Sequence, residues 1–300
     1  MKKSLCIFLL SVLLLPLTAC TLPAGRDDGK LQIVATLFPQ WDFARTVGGE
    51  FADCKLLIAP GAEVHAYEPS AADLVAISEC DLFLYTGDEM EPWAARILKS
   101  TEGVTATDLS KNVTKIADED GDHAYDPHIW TSPKNAQIMV RDIADAFCVA
   151  DPIHETEYRK NAEKLIGELQ DLDEEFREIC DKAENRVLAF GGRFALTYFA
   201  EEYGICAHAA FDSCASETEP SVQTISNLCK VVKEYDLPVV FYEELTDPKV
   251  ARTIAEQTGT EILLFHSCHN VSAQEAENGE TYLTLMHKNA ENLRKGLNVK

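Results

Sequence analysis

The segment Pro152-IHETEYRKNAEKLIGELQDLDEEFREICDK-Ala183 carries one unbroken apolar stripe. Tyr158, Ala162, Leu165, Leu169, Leu172, Phe176 and Ile179 recur at alternating intervals of four and three. That period places all seven on one face of an α-helix and leaves the acid-rich flanks to water. At ~1.5 Å per residue, some thirty residues span about 45 Å. A single helix of this length is stiff, so it predicts a connector (residues 148–184) between two lobes that move little relative to each other.

On either side of this helix the pattern changes to strand-helix alternation. Upstream, Leu31 to Thr36, Cys54 to Ala59, Asp81 to Tyr85 and Gly103 to Thr107 read as strands, with helical spacing in Pro39 to Val47, Ser70 to Glu79 and Glu91 to Lys99. Downstream the series continues: strand Arg186 to Phe190, helix Phe194 to Tyr203, a short run Ile205 to Ala210, helix Ser221 to Tyr235, strand Pro238 to Glu243, helix Pro248 to Thr258, strand Glu261 to Phe265 and a closing helix Thr281 to Leu297. Alternation of this kind belongs to parallel sheets. The expected fold is therefore α/β, with two lobes (31–147 and 185–300), each a mostly parallel sheet flanked by helices, joined by the long helix. About 270 residues suffice for two separate cores. The halves share an architecture but show no repeat at the residue level.

Two turns stand out for their chemistry. Gly61-Ala62-Glu63-Val64-His65-Ala66-Tyr67-Glu68-Pro69-Ser70 and Asp126-Pro127-His128-Ile129-Trp130 each set one histidine in a Pro-punctuated turn, where an imidazole can face a cleft. His65 also follows the second strand by a few residues, at the carboxyl end where parallel sheets bind ligands. A neutral imidazole nitrogen suits Zn2+ and other late divalent ions. Tyr67 and Trp130, beside these histidines, are expected to wall the cleft.

The two motifs, in this order and at this separation, resemble those of the metal-binding lipoproteins of ABC transporters, the zinc and manganese cluster, and the likeness runs from about Leu31 to Leu297. The resemblance implies a rigid helical connector and a cleft site with further ligands from the second lobe: a His or Glu just after its first strand, and an Asp after its last. The sequence departs from both. Gly191-Gly192-Arg193-Phe194 holds no ligand, and His266 falls on the position given to Asp. The expected metal ligands are therefore His65, His128 and His266, with His269 as the substitute and Glu217 or Glu219 as a further possibility if they do not simply cap the helix after Ser221. Arg193 could neutralise a neighbouring carboxylate. The acidic loop Ala117 to Tyr125 looks like a short form of the family's His- and acid-rich loop, in which His123 would capture ions weakly.

The chain opens with Lys2, Lys3 and the apolar run Leu5 to Leu17, too short for a comfortable membrane span, and closes this segment with Leu17-Thr18-Ala19-Cys20. Residues 1–19 read as a signal peptide, Cys20 as a lipidated cysteine and 20–30 as a leash. Acyl chains there would tether the protein to the outer face of a membrane without spanning it. With Lys2 and Lys3 removed, the 27 basic side chains fall to 25 against 50 acidic ones, a formal charge of −25. Such a surface excludes nucleic acid as a partner.

Beyond Cys6 and Cys20 there are eight cysteines, which allow 105 pairings. Cys54 with Cys80 and Cys214 with Cys268 are the expected bridges, buried free thiols the alternative. No CxxC, HExxH or GxSxG occurs.

The sequence thus predicts a monomeric, non-enzymatic, lipid-anchored receptor that captures Zn2+, in preference to Mn2+, and delivers it to an ABC permease. Neutral histidine ligands predict loss of affinity as pH falls through ~6.5. The rival readings are a manganese receptor of the same family, an exported metal-dependent hydrolase, and an adhesin or metal buffer without a transporter.

Overall fold

A computed structural model describes residues 29–101, 103–118, 123–211 and 220–299. The expected signal peptide, Cys20, Cys214, Glu217 and Glu219 lie outside the described residues.

The first half runs β1 (Leu31–Ala35), α1 (Phe38–Gly48), β2 (Ala52–Leu56), α2 (Ala71–Glu79), β3 (Leu82–Tyr85), α3 (Pro92–Ser100) and β4 (Ala106–Asp108). All pairings are parallel, in the order β2-β1-β3-β4. After α4 (Pro133–Ala150) and α5 (Glu155–Lys182), the second half runs β5 (Val187–Arg193), α6 (Thr197–Tyr203), β6 (Cys206–Phe211), α7 (Val222–Glu234), β7 (Val239–Tyr242), α8 (Lys249–Thr258), β8 (Glu261–Leu264), α9 (Ala273–Glu277) and α10 (Tyr282–Gly296). Its sheet is also parallel and repeats the first order, β6-β5-β7-β8. The shared architecture therefore extends to strand order.

The long connector is α5, 28 residues and about 42 Å. It begins at Glu155 because Pro152 to His154 form a separate 3-10 turn; residues 148–150 close α4, a helix additional to those expected from the sequence. All seven stripe residues are buried. They pack against α1 and α4 of the first half and α6 and α10 of the second, and one continuous apolar cluster runs from Leu31 to Leu297 through them. Each such side chain withdrawn from water is worth roughly 1.5–3 kcal/mol, so parting the halves along α5 would be costly.

The Cys54–Cys80 bridge is ruled out: both thiols are free. Cys54 lies in β2 and Cys80 just before β3, on opposite sides of β1, with Cys54 and Leu82 both registering on Ile33. Two strand spacings, ~9.6 Å, exceed the ~7 Å that a disulfide can bridge between Cα atoms. Cys268 is also free and fully buried.

In a sheet of this order the crevice at the switch point lies between β1 and β3. Here it is filled by buried polar groups. Gln40 accepts from the Thr36 amide at 3.1 Å, Glu91 accepts from the Thr86 amide at 3.0 Å, and the Thr36 hydroxyl donates to Glu91. The carboxyl-end loops after β2, β4 and β8 remain, and these carry the histidines.

Candidate metal centre

Each histidine is aimed by its own turn. The Glu63 carboxylate accepts from the amides of Val64 (3.1 Å) and His65 (3.2 Å), which closes the turn beneath His65. Asp126 accepts from the His128 amide and from His128 Nδ1, both at 2.8 Å. A carboxylate only accepts, so Nδ1 bears the proton and the Nε2 lone pair is left for a metal. Burial raises the Asp126 pKa, but the His128 ring and the Thr197 hydroxyl more than offset it and hold the carboxyl below its ordinary value. Among the described residues, His128 Nε2 is buried with no hydrogen-bond partner.

The third imidazole comes from the second half and is His269. One ligand atom from each of His65, His128 and His269 lies within 4.8 Å of the other two. The ring centroids stand 5.5 Å (65–128), 4.7 Å (65–269) and 4.6 Å (128–269) apart. Nitrogens around a tetrahedral zinc at ~2.0–2.1 Å stand about 3.4 Å from each other, so the rings need draw in only slightly. His269 Nε2 is likewise buried and unpartnered.

His266, the expected ligand, is not among them. Cys268 between the two histidines takes a left-handed φ of 60°, which reverses the chain. His266 consequently turns inward: its amide donates to Asn289 Oδ1 (2.7 Å), its Nδ1 accepts from the Cys268 amide (2.9 Å), and its Nε2 faces Glu275 at 3.6 Å. The substitute, His269, occupies the place expected of it. The signal available in the sequence was the three-residue spacing of two histidines after a strand, which cannot say which one faces out.

The turn bearing His269 is fastened to the first half. Trp130 Nε1 donates to Ser267 O (2.9 Å), Asn270 Nδ2 to Ala59 O (2.9 Å) and Ala62 O (3.0 Å), and the Gly61 amide to Val271 O (2.7 Å). From the other side Glu244 accepts from the Ser267 amide (2.8 Å) and hydroxyl (2.5 Å), and the Ser267 hydroxyl accepts from the His269 amide (3.2 Å). Trp130 is fully buried against the rings of His128 and His269 and so walls the site as expected. Tyr67 does not: it packs on Trp93 and donates to Asp73 at 2.8 Å, inside the α2 packing. His123 pairs with Glu89 at 3.1 Å.

Electrostatics favour bare nitrogens. Burial, then His128 and Arg193, push the His65 pKa down to about 3. Burial, His128, His65 and Arg193 push His269 well below its ordinary value. Arg193 itself is paired with Glu243 at 2.8 Å and does neutralise a neighbouring carboxylate.

Residues 33–296 match the family described as zinc-uptake complex component A, periplasmic. The chain is 30% identical to the high-affinity zinc uptake system protein ZnuA of Bacillus subtilis, covering 100% of this chain and 99% of that protein. It is 29% identical to the zinc-binding lipoprotein AdcA of Streptococcus pneumoniae, over 97% of this chain. It spans only 60% of the length of that relative. The crystal structure of the Zn(II)-bound ZnuA-like domain of Streptococcus pneumoniae AdcA superposes with a TM-score of 0.79 at 28% identity, covering 90% of this chain and 99% of the domain.

Proposed function

The chain belongs to the zinc-uptake complex component A family, and from that premise we propose that it is an extracytoplasmic receptor that holds one Zn2+ on His65, His128 and His269 and passes it to an ABC importer. The observation that carries this reading is the convergence of three imidazoles from both halves of the chain. Three neutral nitrogen donors favour zinc over manganese, which prefers carboxylate oxygen. Water from the adjoining cavity would complete a tetrahedral ion.

The role is binding rather than turnover. A metal-dependent hydrolase needs a base within reach of the bound water, and Glu63, the acid nearest in sequence to His65, is committed to the amides of its own turn. Lipidation at Cys20, attachment to the outer face of the membrane and a monomeric state complete the proposal.

Competition with a chromophoric chelator tests it. His128→Ala and His269→Ala should each weaken zinc binding at least about 100-fold, and retention of affinity within twofold by both variants would overturn the reading.

A further inference from the structure

The metal centre contains a fixed positive charge that coordination does not require. β5 continues through Gly191 and Gly192 to Arg193, and its register with β6 shifts between Phe190 and Arg193. The backbone there cannot yield toward α8: a Cβ on Gly191 would come within 2.4 Å of Ala251 Cα. Arg193 therefore leaves the strand end at a set position, in a cavity of about 210 Å³ that it shares with Glu63, Glu243, Glu244, Ser267 and His269. Arg193 and Glu243 side chains are only 17% and 12% exposed. The other two carboxylates of the cavity are occupied by donors, Glu63 by the amides of residues 64 and 65 and Glu244 by Ser267.

Building on the zinc-receptor reading, we propose that Arg193 is the affinity-setting residue of this site: Glu243 holds its cation beside the imidazoles, where it opposes a divalent ion and keeps the hold weak enough for hand-over. The physical basis is Coulombic. Arg193 and His269 line the same cavity, and the Arg193 guanidinium is held there by Glu243 at 2.8 Å. A divalent ion on the His269 nitrogen would meet the repulsion of that cation across the shared cavity. The pair has a second effect, since Glu243 bound to Arg193 is kept from serving as an oxygen ligand.

The two effects separate by mutation. In chelator-competition titrations of the full chain, Arg193→Met should tighten zinc binding about tenfold or more, by removing the repulsion and freeing Glu243. The double variant R193M/E243Q, which has neither charge, should remain tighter than the unmodified protein. Glu243→Gln alone, which removes the carboxylate paired with Arg193, should bind more weakly. Arg193→Lys keeps the charge and should stay within a few-fold of the unmodified protein; Arg193→Gln provides a second neutral side chain. Far-UV circular dichroism in chelator identifies variants that fold. Folded R193M/E243Q and R193Q proteins that bind zinc no more tightly than the unmodified chain would overturn the proposal. Should His269→Ala retain zinc affinity, the receptor site itself is misassigned; should it lose affinity while the arginine variants show no gain, only the role of Arg193 fails.

Discussion

Zinc binding to this site should release far fewer protons than three ordinary histidines would. An imidazole with a pKa of ~6.5 is about 90% protonated at pH 5.5, so three of them would give up ~2.7 protons per ion captured. His65 is held down to about 3 by burial and then by His128 and Arg193, and His269 is also pushed well below its ordinary value. His65 is therefore already neutral at pH 5.5, which leaves about two protons as the ceiling, and the lowered His269 value takes the release below that. The sign follows from the depressed values: the neutral, metal-competent form persists as pH falls and is lost only as the solution approaches the lowered pKa. A plot of log affinity against pH from 5 to 6 should therefore have a slope of less than about two. Titration calorimetry in buffers of different ionisation enthalpy measures the released protons directly. More than about two protons per zinc at pH 5.5 would refute the argument. For His65 and His269 the loss of affinity through ~6.5 expected from the sequence is thus displaced to more acid conditions.

Asp126→Asn should weaken zinc binding ~10–100-fold, because a neutral amide no longer fixes the proton on His128 Nδ1; an unchanged chelator-competition curve would refute this. Asn270→Ala removes the donor to the Ala59 and Ala62 carbonyls and should cost about tenfold in zinc affinity by loosening the turn of His269, while thermal unfolding in chelator falls by only ~1–3 kcal/mol. Burial pushes the Glu91 pKa up to about 7, against donors from Thr36, Gln40 and Thr86. Its contribution to stability is therefore present below pH ~4.5 and lost as pH rises through 7, up to ~3 kcal/mol. Glu91→Gln should flatten that dependence in denaturant titrations at pH 5 and pH 8.

The fold was readable because its elements rest on period alone. The stripe from Tyr158 to Ile179 needs one helix face, and the short apolar runs between helical segments need buried parallel strands. The points where the reading failed were set by contacts distant in sequence. β5 reaches Arg193 because α8 packs on Gly191, and no property of a Gly-Gly pair announces that. The choice between His266 and His269 depended on the left-handed backbone at Cys268 and on Asn289 and Glu275, which come from later helices. The expected Cys54–Cys80 bridge is precluded by strand order, since β2 and β3 are adjacent among the strands in sequence and separated by β1 in space.

The fastening of the His269 turn also bears on how an ion could leave. His269 belongs to the second half in sequence, yet Trp130, Asn270 and Gly61 bind its turn to the first half. Tyr282 at the start of α10 adds to this, its amide donating to Asp42 (2.8 Å) and its hydroxyl to Trp130 O (2.6 Å). Drawing His269 away from His65 and His128 would break several buried hydrogen bonds at once, and each group left unpaired costs about 1–3 kcal/mol. α5, packed on helices of both halves, resists the same motion. Opening the three-histidine set by parting the lobes is therefore the expensive route. A cheaper one is to keep the ligands in place and limit the affinity itself, and Arg193, held by Glu243 in the cavity it shares with His269, lies where a fixed charge would do so.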